Sequence, residues 1–295
     1  MTDRADITDP AAMQEAARQP HRHRGALLPA AGTLVIRELF VLRDIRWLIA
    51  LLLPATAFML AFDAGFSTFF GRPLLEPYNA YIALSEYLMP GLATLVAVLS
   101  VARSTLLMTE PTGETAMRPL LTTPLPLAVI LVAKLVGAAI VAAVYAALFL
   151  ALAELTGAGL RPADWLIAVP AVLAGAFALA AAMLVLTALV RPLRSYALVL
   201  LVLILPGFAV SSAFYPLWQF GDAGAFLSAV AEANPVTHAV ELVRFATEHQ
   251  LDETGLIVVA ALAIIALAAA TIVFDPRWRL FAWRKVTDQP DLHRR

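Results

Sequence analysis

Long runs of apolar residues, interrupted by short polar segments, dominate the sequence. A helix needs about 20 residues to cross the hydrocarbon core of a bilayer, and six runs approach or exceed that length. They cover residues 47–62, 88–108, 127–153, 165–190, 196–216 and 255–274. The runs are rich in leucine and alanine and do not alternate with the period of two that is typical of strands. The pattern predicts an all-α integral membrane protein with six transmembrane helices.

The composition agrees with a membrane protein and excludes several kinds of site. Hydrophobic residues make up 61% of the chain, charged residues make up 15%, and the mean hydropathy is +0.81. Soluble domains contain about 45–50% apolar and about 25% charged residues. The absence of cysteine excludes disulfides and thiolate metal sites, and a net charge of −1 gives no reason to expect a nucleic acid partner.

The distribution of lysine and arginine predicts the orientation. If both termini are cytoplasmic, 18 of the 21 basic residues lie on the cytoplasmic side, and only Arg72, Arg161 and Arg244 lie outside. Such an excess is typical of cytoplasmic loops. We therefore expect a multi-pass protein of the inner, or cytoplasmic, membrane with both termini inside. The N-terminus lacks an apolar core with a cleavage site, so residues 1–32 are expected to form a polar tail, and 281–295 a second one.

Segment 33–46 precedes the first span and mixes apolar with charged residues. Their spacing can separate them onto two faces of a helix. This pattern predicts an amphipathic helix in the cytoplasmic interface, at the start of a transmembrane domain over 33–280. An ordinary cytoplasmic helix is the alternative.

The connection 109–127 (TEPTGETAMRPLLTTPLPL) has few charges and several prolines. A solvated linker would carry more charge and less leucine. We expect a stiff loop near the membrane surface, which either packs on its own helix bundle or docks a cytoplasmic partner.

Three motifs resemble the membrane subunits of ABC exporters. The first is Leu120-Leu121-Thr122-Thr123-Pro124-Leu125, followed by Ile130-Leu131 and Lys134-Leu135; the others are SSAFYPLW (211–218) and NPVTHAVELVRF (234–245). Their order and spacing resemble ABC-2-type (type V) permeases. Within that family, the chain looks most similar to exporters of polysaccharides, lipo-oligosaccharides and drugs.

The resemblance implies a non-catalytic permease subunit of an ATP-driven exporter. Two permease chains, as a homodimer, would work with two copies of a separate ATPase, and the translocation path would lie at their interface. The sequence contains no Gly-x-x-x-x-Gly-Lys-Ser/Thr motif, so ATP and Mg²⁺ are expected in the ATPase and no cofactor in this chain. The interfacial helix 33–46 and a short helix of the loop, around 110–122, would dock the ATPase. The candidate docking residues are Arg37, Glu38, Glu114, Arg118, Leu120, Leu121, Thr123 and Pro124.

The resemblance also implies that residues 211–245 re-enter the outer leaflet as a helical hairpin before the last span. Candidate residues of the exit path are Glu86, Tyr87, Phe214, Tyr215, Asn234, His238 and Glu241. His238 and Glu241 share a helix face and form either a polar lining or a metal or proton site. Glu86 either reaches water or contacts a polar substrate. Lys134 is expected to extend its side chain to the cytoplasmic surface or to contact the ATPase.

Three other classes of protein are alternatives to an ABC permease. An ion-coupled secondary transporter would place charges or broken helices near the membrane midplane, whereas the cores of spans three, four and six contain no acidic or basic residue. A membrane enzyme would need catalytic groups at a useful spacing, and none stands out. A non-transporting membrane scaffold is the third alternative.

Overall fold

The structure is a computed structural model that describes most of the apolar part of the chain. It covers residues 27–66, 84–109, 125–155, 165–189 and 204–275, together with the single positions 120, 123 and 202. The described residues form helices, turns and short connections, without strands. The helices are α1 (Leu27–Leu39), α2 (Ile45–Phe66), α3 (Leu84–Thr109), α4 (Leu127–Leu155), α5 (Trp165–Leu189), α6 (Leu205–Ala209), α7 (Leu217–Ala223), α8 (Ala225–Ala233), α9 (Pro235–Thr247) and α10 (Glu253–Phe274).

Five helices of the described part are long and apolar enough to cross a membrane, namely α2, α3, α4, α5 and α10. They correspond to the first, second, third, fourth and sixth predicted spans. The predicted fifth span, 196–216, lies largely outside the described residues. Its described end departs from the prediction, because α6 stops at Ala209 and the chain then turns. The small residues of this turn come close to another helix, as described below.

Helices α3, α4 and α5 form the centre of the bundle. In the apolar stretch of α3, 72% of the residues are buried, against 22% in those of α2 and α10. Alanine and other small residues line the contacts between the central helices, which allows their backbones to approach closely within a membrane. Helices α2 and α10 consequently present wide apolar surfaces to the surroundings of the chain.

The segment 33–46 is not the single helix that the sequence predicted. Helix α1 begins at Leu27 rather than at 33, because the Leu- and Ala-rich residues that precede the charged pattern continue it upstream. It ends at Leu39, and a 3₁₀ helix (Phe40–Arg43) follows. Asp44 then caps α2, accepting a hydrogen bond from the backbone N–H of Trp47 at 3.4 Å. The first span therefore begins at Ile45 rather than at 47.

After α6, three short helices return the chain to the bundle. Asn234 caps α9 by accepting a hydrogen bond from the Val236 N–H at 3.0 Å, and its amide donates to the Gly207 carbonyl at 2.6 Å. Helix α9 packs against α3, α5 and α10. A Cβ added at Gly175 of α5 would lie 3.5 Å from the Cβ of Ala239. The cap and these contacts fix α9 among the long helices.

Candidate functional site: two charged clusters at opposite ends of α3

The first cluster contains a buried ion pair between α1 and α4. The ammonium of Lys134 contacts the carboxylate of Glu38, and each side chain is only 1% exposed. Gly137, one turn beyond Lys134, makes room for this contact, because an added Cβ would come within 2.6 Å of the Glu38 Cβ. Burial raises the pKa of Glu38 above its ordinary value, and the nearby ammonium of Lys134 opposes that rise. The pair joins the end of α1 to the first part of α4.

A second ion pair lies at the start of α2. The Arg103 guanidinium donates to the Asp44 carboxylate at 2.5 Å, and its central carbon lies 4.8 Å from the centroid of the Trp47 ring, which is within the range of a cation–π interaction. Desolvation raises the pKa of Asp44, but the Trp47 N–H and the Arg103 guanidinium outweigh it and hold the pKa below its ordinary range. We call Glu38, Asp44, Trp47, Arg103 and Lys134 the junction cluster.

The junction cluster brackets the loop between α3 and α4. Arg103 is near the end of α3 and Lys134 is near the beginning of α4, so the two cations stand on either side of residues 110–126. Glu38 lies at the end of α1, and Asp44 immediately precedes α2. The helices on either side of the loop are thus tied to this part of the chain, α3 to the start of the first span and α4 to the end of α1. The side chain of Lys134 does not extend to the surface as predicted, since it is buried on Glu38.

The loop itself is described at Leu120 and Thr123 and from Leu125 onward. Leu120 is 8% exposed and belongs to the buried core of the chain. Both the N–H and the hydroxyl of Thr123 donate to the Leu120 carbonyl, at 3.0 and 2.6 Å. Leu120 therefore anchors the loop on its own bundle.

The other predicted docking residues fall into two groups. Glu38 is buried, so its carboxylate is turned away from any docking surface, whereas Arg37 is partly exposed beside it. Four further candidates lie outside the described residues: Glu114, Arg118, Leu121 and Pro124.

The second cluster surrounds Arg244 of α9. This side chain is 2% exposed, and its guanidinium donates to the Glu241 carboxylate at 2.5 Å and to the Ser212 carbonyl at 2.7 Å. The hydroxyl of Tyr87 donates to the same carbonyl at 3.2 Å. The central carbon of the guanidinium lies 4.2 Å from the centroid of the Tyr87 ring. We call Tyr87, Ser212, Glu241 and Arg244 the Arg244 cluster; it joins α3, the turn after α6, and α9.

A close backbone approach supports the Arg244 cluster. An added Cβ at Gly91 of α3 would come within 2.4 Å of the Ala213 carbonyl oxygen. The small residues Ser211, Ser212 and Ala213 are all buried there. The SSA sequence of the second motif is therefore explained by the contact with Gly91, which larger side chains would prevent.

The structure brings some of the predicted exit residues together and separates others. Tyr87 and Glu241 belong to one cluster, whereas Phe214 packs edge-on against Phe58 of α2, with 5.8 Å between the ring centroids. Asn234 is a helix cap. Glu86 and Tyr215 are partly exposed.

His238 and Glu241 do not act on a common group. A ring nitrogen of His238 lies 2.8 Å from the Glu232 carbonyl oxygen, while Glu241 faces Arg244. Within the described ranges, no group of three or more His, Asp or Glu side chains is arranged to hold a metal ion. The two side chains therefore share a helix but have different partners among the described residues.

The charged residues Asp44, Arg103 and Arg244 of these clusters were not predicted as site residues, and neither were Trp47 and Ser212. Arg103 lies in the largely apolar helix α3, where an uncompensated charge is costly, and Arg244 lies on α9 close to His238 and Glu241. Their placement was the available signal, but it does not identify their partners. Asp44 is 59 residues from Arg103 in the sequence, and Ser212 is 32 residues from Arg244.

The two clusters lie at opposite ends of α3. Tyr87 and Arg103 are separated by 16 residues of this helix, or about 24 Å at 1.5 Å per residue. Helix α3 is the most buried of the five long apolar helices. Helix α3 therefore connects the two clusters directly.

The comparisons with known proteins agree with the three motifs. The family model described as ABC-2 type transporter matches residues 32–247 of the 295-residue chain. That range includes both clusters and every described helix except the first residues of α1, before 32, and the whole of α10. No curated protein and no solved structure matches the chain. Together with its long apolar helices, this match shows that the chain belongs to the ABC-2 type transporter family and is a multi-pass membrane permease of an ABC transporter.

Proposed function

We infer that this permease is the non-catalytic membrane half of an ATP-driven exporter in the cytoplasmic membrane. The observation that carries the inference is the family match over 32–247, since members of the family typically work with an ATPase partner. Two permease chains would pair and recruit two copies of the ATPase, which would bind ATP and Mg²⁺. Both termini would lie in the cytoplasm, in keeping with the distribution of basic residues.

The junction cluster supports a route from the ATPase to the first span. The proposed docking surface is the loop over 110–126, anchored by Leu120 and flanked by α3 and α4. A displacement of the loop would move Arg103 and Lys134, and their carboxylate partners would transmit it to the start of α2 and to the end of α1, respectively. Helix α2 has a wide exposed apolar surface, and the second permease chain would cover part of it. The ion pairs would then couple ATP-driven movement to the dimer interface.

Helix α9 supports a gate at the other end of the path. Ala239 faces Gly175, which is ten residues into α5, or about 15 Å along its axis. This distance is about half the thickness of a hydrocarbon core. In our proposal α8 and α9 form the re-entrant hairpin, and the Arg244 cluster holds it closed on α3. Tyr87, Glu241 and His238 would line the polar exit.

The test measures coupling in proteoliposomes that contain the permease and its ATPase. Glu114→Ala and Arg118→Ala alter the proposed docking loop, and Arg161→Ala removes a charge from the opposite predicted side as a matched control. We expect both loop variants to insert into the membrane and to dimerise normally. Both should reduce the permease-stimulated ATP hydrolysis and the ATP-dependent transport, whereas the control variant should keep both activities. Wild-type coupling in both loop variants would contradict the docking proposal.

A further inference from the structure

The segment that leads into the first span exposes more positive charge in the structure than its sequence suggests. Between residues 37 and 46 the sequence carries three arginines and two carboxylates. Glu38 is paired with Lys134, and Asp44 with Arg103, so both carboxylates are neutralised by cations of α4 and α3. Arg37, Arg43 and Arg46 make no ion pair with any described carboxylate. Although the positive and negative charges of the segment nearly cancel, its exposed surface is therefore cationic.

A cleft opens on that surface. It has a volume of ≈ 390 Å³ and is lined by Thr33, Ile36, Arg37, Phe40 and Arg43. Ile36 is 58% exposed and Phe40 47% exposed. The guanidinium carbon of Arg43 lies 5.8 Å from the centroid of the Phe40 ring. The cleft thus combines two guanidinium groups and a hydroxyl with exposed apolar side chains.

The position of the cleft identifies the kind of ligand. Arg43 precedes Ile45, the first residue of the apolar span, by only two positions, so the cleft lies where hydrocarbon gives way to lipid headgroups. Guanidinium groups bind phosphate oxygens through charge-assisted hydrogen bonds, and the exposed Ile36 and Phe40 suit an acyl chain. An acidic protein surface would satisfy the arginines but would leave these two apolar side chains in water.

We propose that this cleft is a binding site for one anionic phospholipid per chain, with its phosphate on Arg37 and Arg43 and its acyl chain along Ile36 and Phe40. The bound lipid would lie against the segment that carries both carboxylates of the junction cluster. Anionic lipid would therefore stabilise the arrangement of α1 and α2 on which the two ion pairs depend.

Native mass spectrometry of the full-length chain tests the proposal by titration with dioleoylphosphatidylglycerol or dioleoylphosphatidylcholine. Arg43→Gln and Arg46→Gln form a matched pair, because each removes one exposed arginine from the same segment but only Arg43 lines the cleft. We expect the first phosphatidylglycerol to bind wild type more tightly than the first phosphatidylcholine. Arg43→Gln should weaken that step about fivefold, the size expected for one basic residue at an anionic lipid surface. Arg46→Gln should change it less than about twofold.

Three results would overturn the proposal. Equal affinity of wild type for the two lipids would show that the cleft does not select anionic headgroups. Equal losses in the two variants would show diffuse attraction by surface charge rather than a site. Unchanged binding of phosphatidylglycerol by Arg43→Gln would show that the lipid binds elsewhere and not in the cleft.

Discussion

Lys134 and Glu38 form an ion pair that is almost completely shielded from solvent, although 96 residues separate them in sequence. Helix α4 contains 29 residues and is about 43 Å long, which exceeds the roughly 30 Å of a hydrocarbon core. Its first two turns, up to about Lys134, can therefore extend beyond the hydrocarbon. The pair accordingly fixes α1 on α4 near the boundary of the membrane.

Loss of Lys134 should destabilise the protein strongly. Lys134→Met leaves the Glu38 carboxylate buried without its cation, which typically costs about 3–5 kcal/mol. The double variant Glu38→Gln/Lys134→Met removes both charges and should recover much of this loss. The measurement is thermal stability in detergent, read from the monodisperse fraction after heating. Lys285→Met, which changes the other lysine of the sequence, is the control. Equal stability of Lys134→Met and Lys285→Met would contradict the structural role of the pair.

A methyl group at Gly137 should push α1 away from α4. The Cβ of Gly137→Ala would come within 2.6 and 2.8 Å of the Glu38 Cβ and Cγ, and overpacking of this kind costs about 1–3 kcal/mol. Gly32→Ala in α1 is a matched control, since an added Cβ there meets no atom within 4 Å, and should be neutral or stabilising by up to about 1 kcal/mol. Thermal unfolding compares the two variants. A destabilised Gly32→Ala beside an unchanged Gly137→Ala would refute the close contact.

The hydroxyl of Tyr87 should contribute measurably to the Arg244 cluster. Tyr87→Phe removes one of the two donors to the Ser212 carbonyl and should cost about 1 kcal/mol, the usual size for one hydrogen bond. Tyr215→Phe serves as the control, because no described hydrogen bond involves the Tyr215 hydroxyl; its effect should stay within about 0.5 kcal/mol. Equilibrium unfolding in mixed micelles measures both. Equal effects would exclude a specific role for the Tyr87 hydroxyl.

Acid should weaken the Asp44–Arg103 pair. The pKa of Asp44 is lowered from its ordinary value of 3.8, so its contribution to stability is fully present above that value and is lost as the pH falls through the lower pKa of the folded state. Asp44→Asn lacks this contribution. We expect wild type to melt at a higher temperature than the variant near neutral pH, with the difference shrinking only below about pH 4. A difference that stayed constant down to pH 2.5 would contradict the ion pair.

Five of the spans could be predicted because length and hydropathy alone decide whether a helix can cross a bilayer. Local signals at the ends were harder to interpret. The charged pattern that starts near Arg37 hid the fact that α1 begins at Leu27, and Asp44 acts as a cap that ends the preceding segment. The end of the predicted fifth span was misplaced because Val210, Ala213 and Phe214 surround the two serines of this turn, so that hydropathy alone does not distinguish it from the end of a helix.

The partners of the buried charges could not be predicted from one sequence. Glu38 was expected on a docking surface and Lys134 at the membrane surface, but the fold places each beside the other. Tyr87 and Glu241 were both predicted in the exit region, whereas Arg244, which joins them, was missed. The Ser212 carbonyl that accepts from Tyr87 and Arg244 is a backbone group, so its role depends on chain geometry rather than on residue type.

Purification of the permease from its native membrane in mild detergent, followed by mass spectrometry of the proteins that remain bound, tests the central claim most directly. Our account predicts a stoichiometric ATPase with a phosphate-binding loop, retained by wild type and by Arg161→Ala but lost from the Glu114→Ala/Arg118→Ala double variant. A permease that stays dimeric and carries no ATPase would contradict the proposed ATP-driven export.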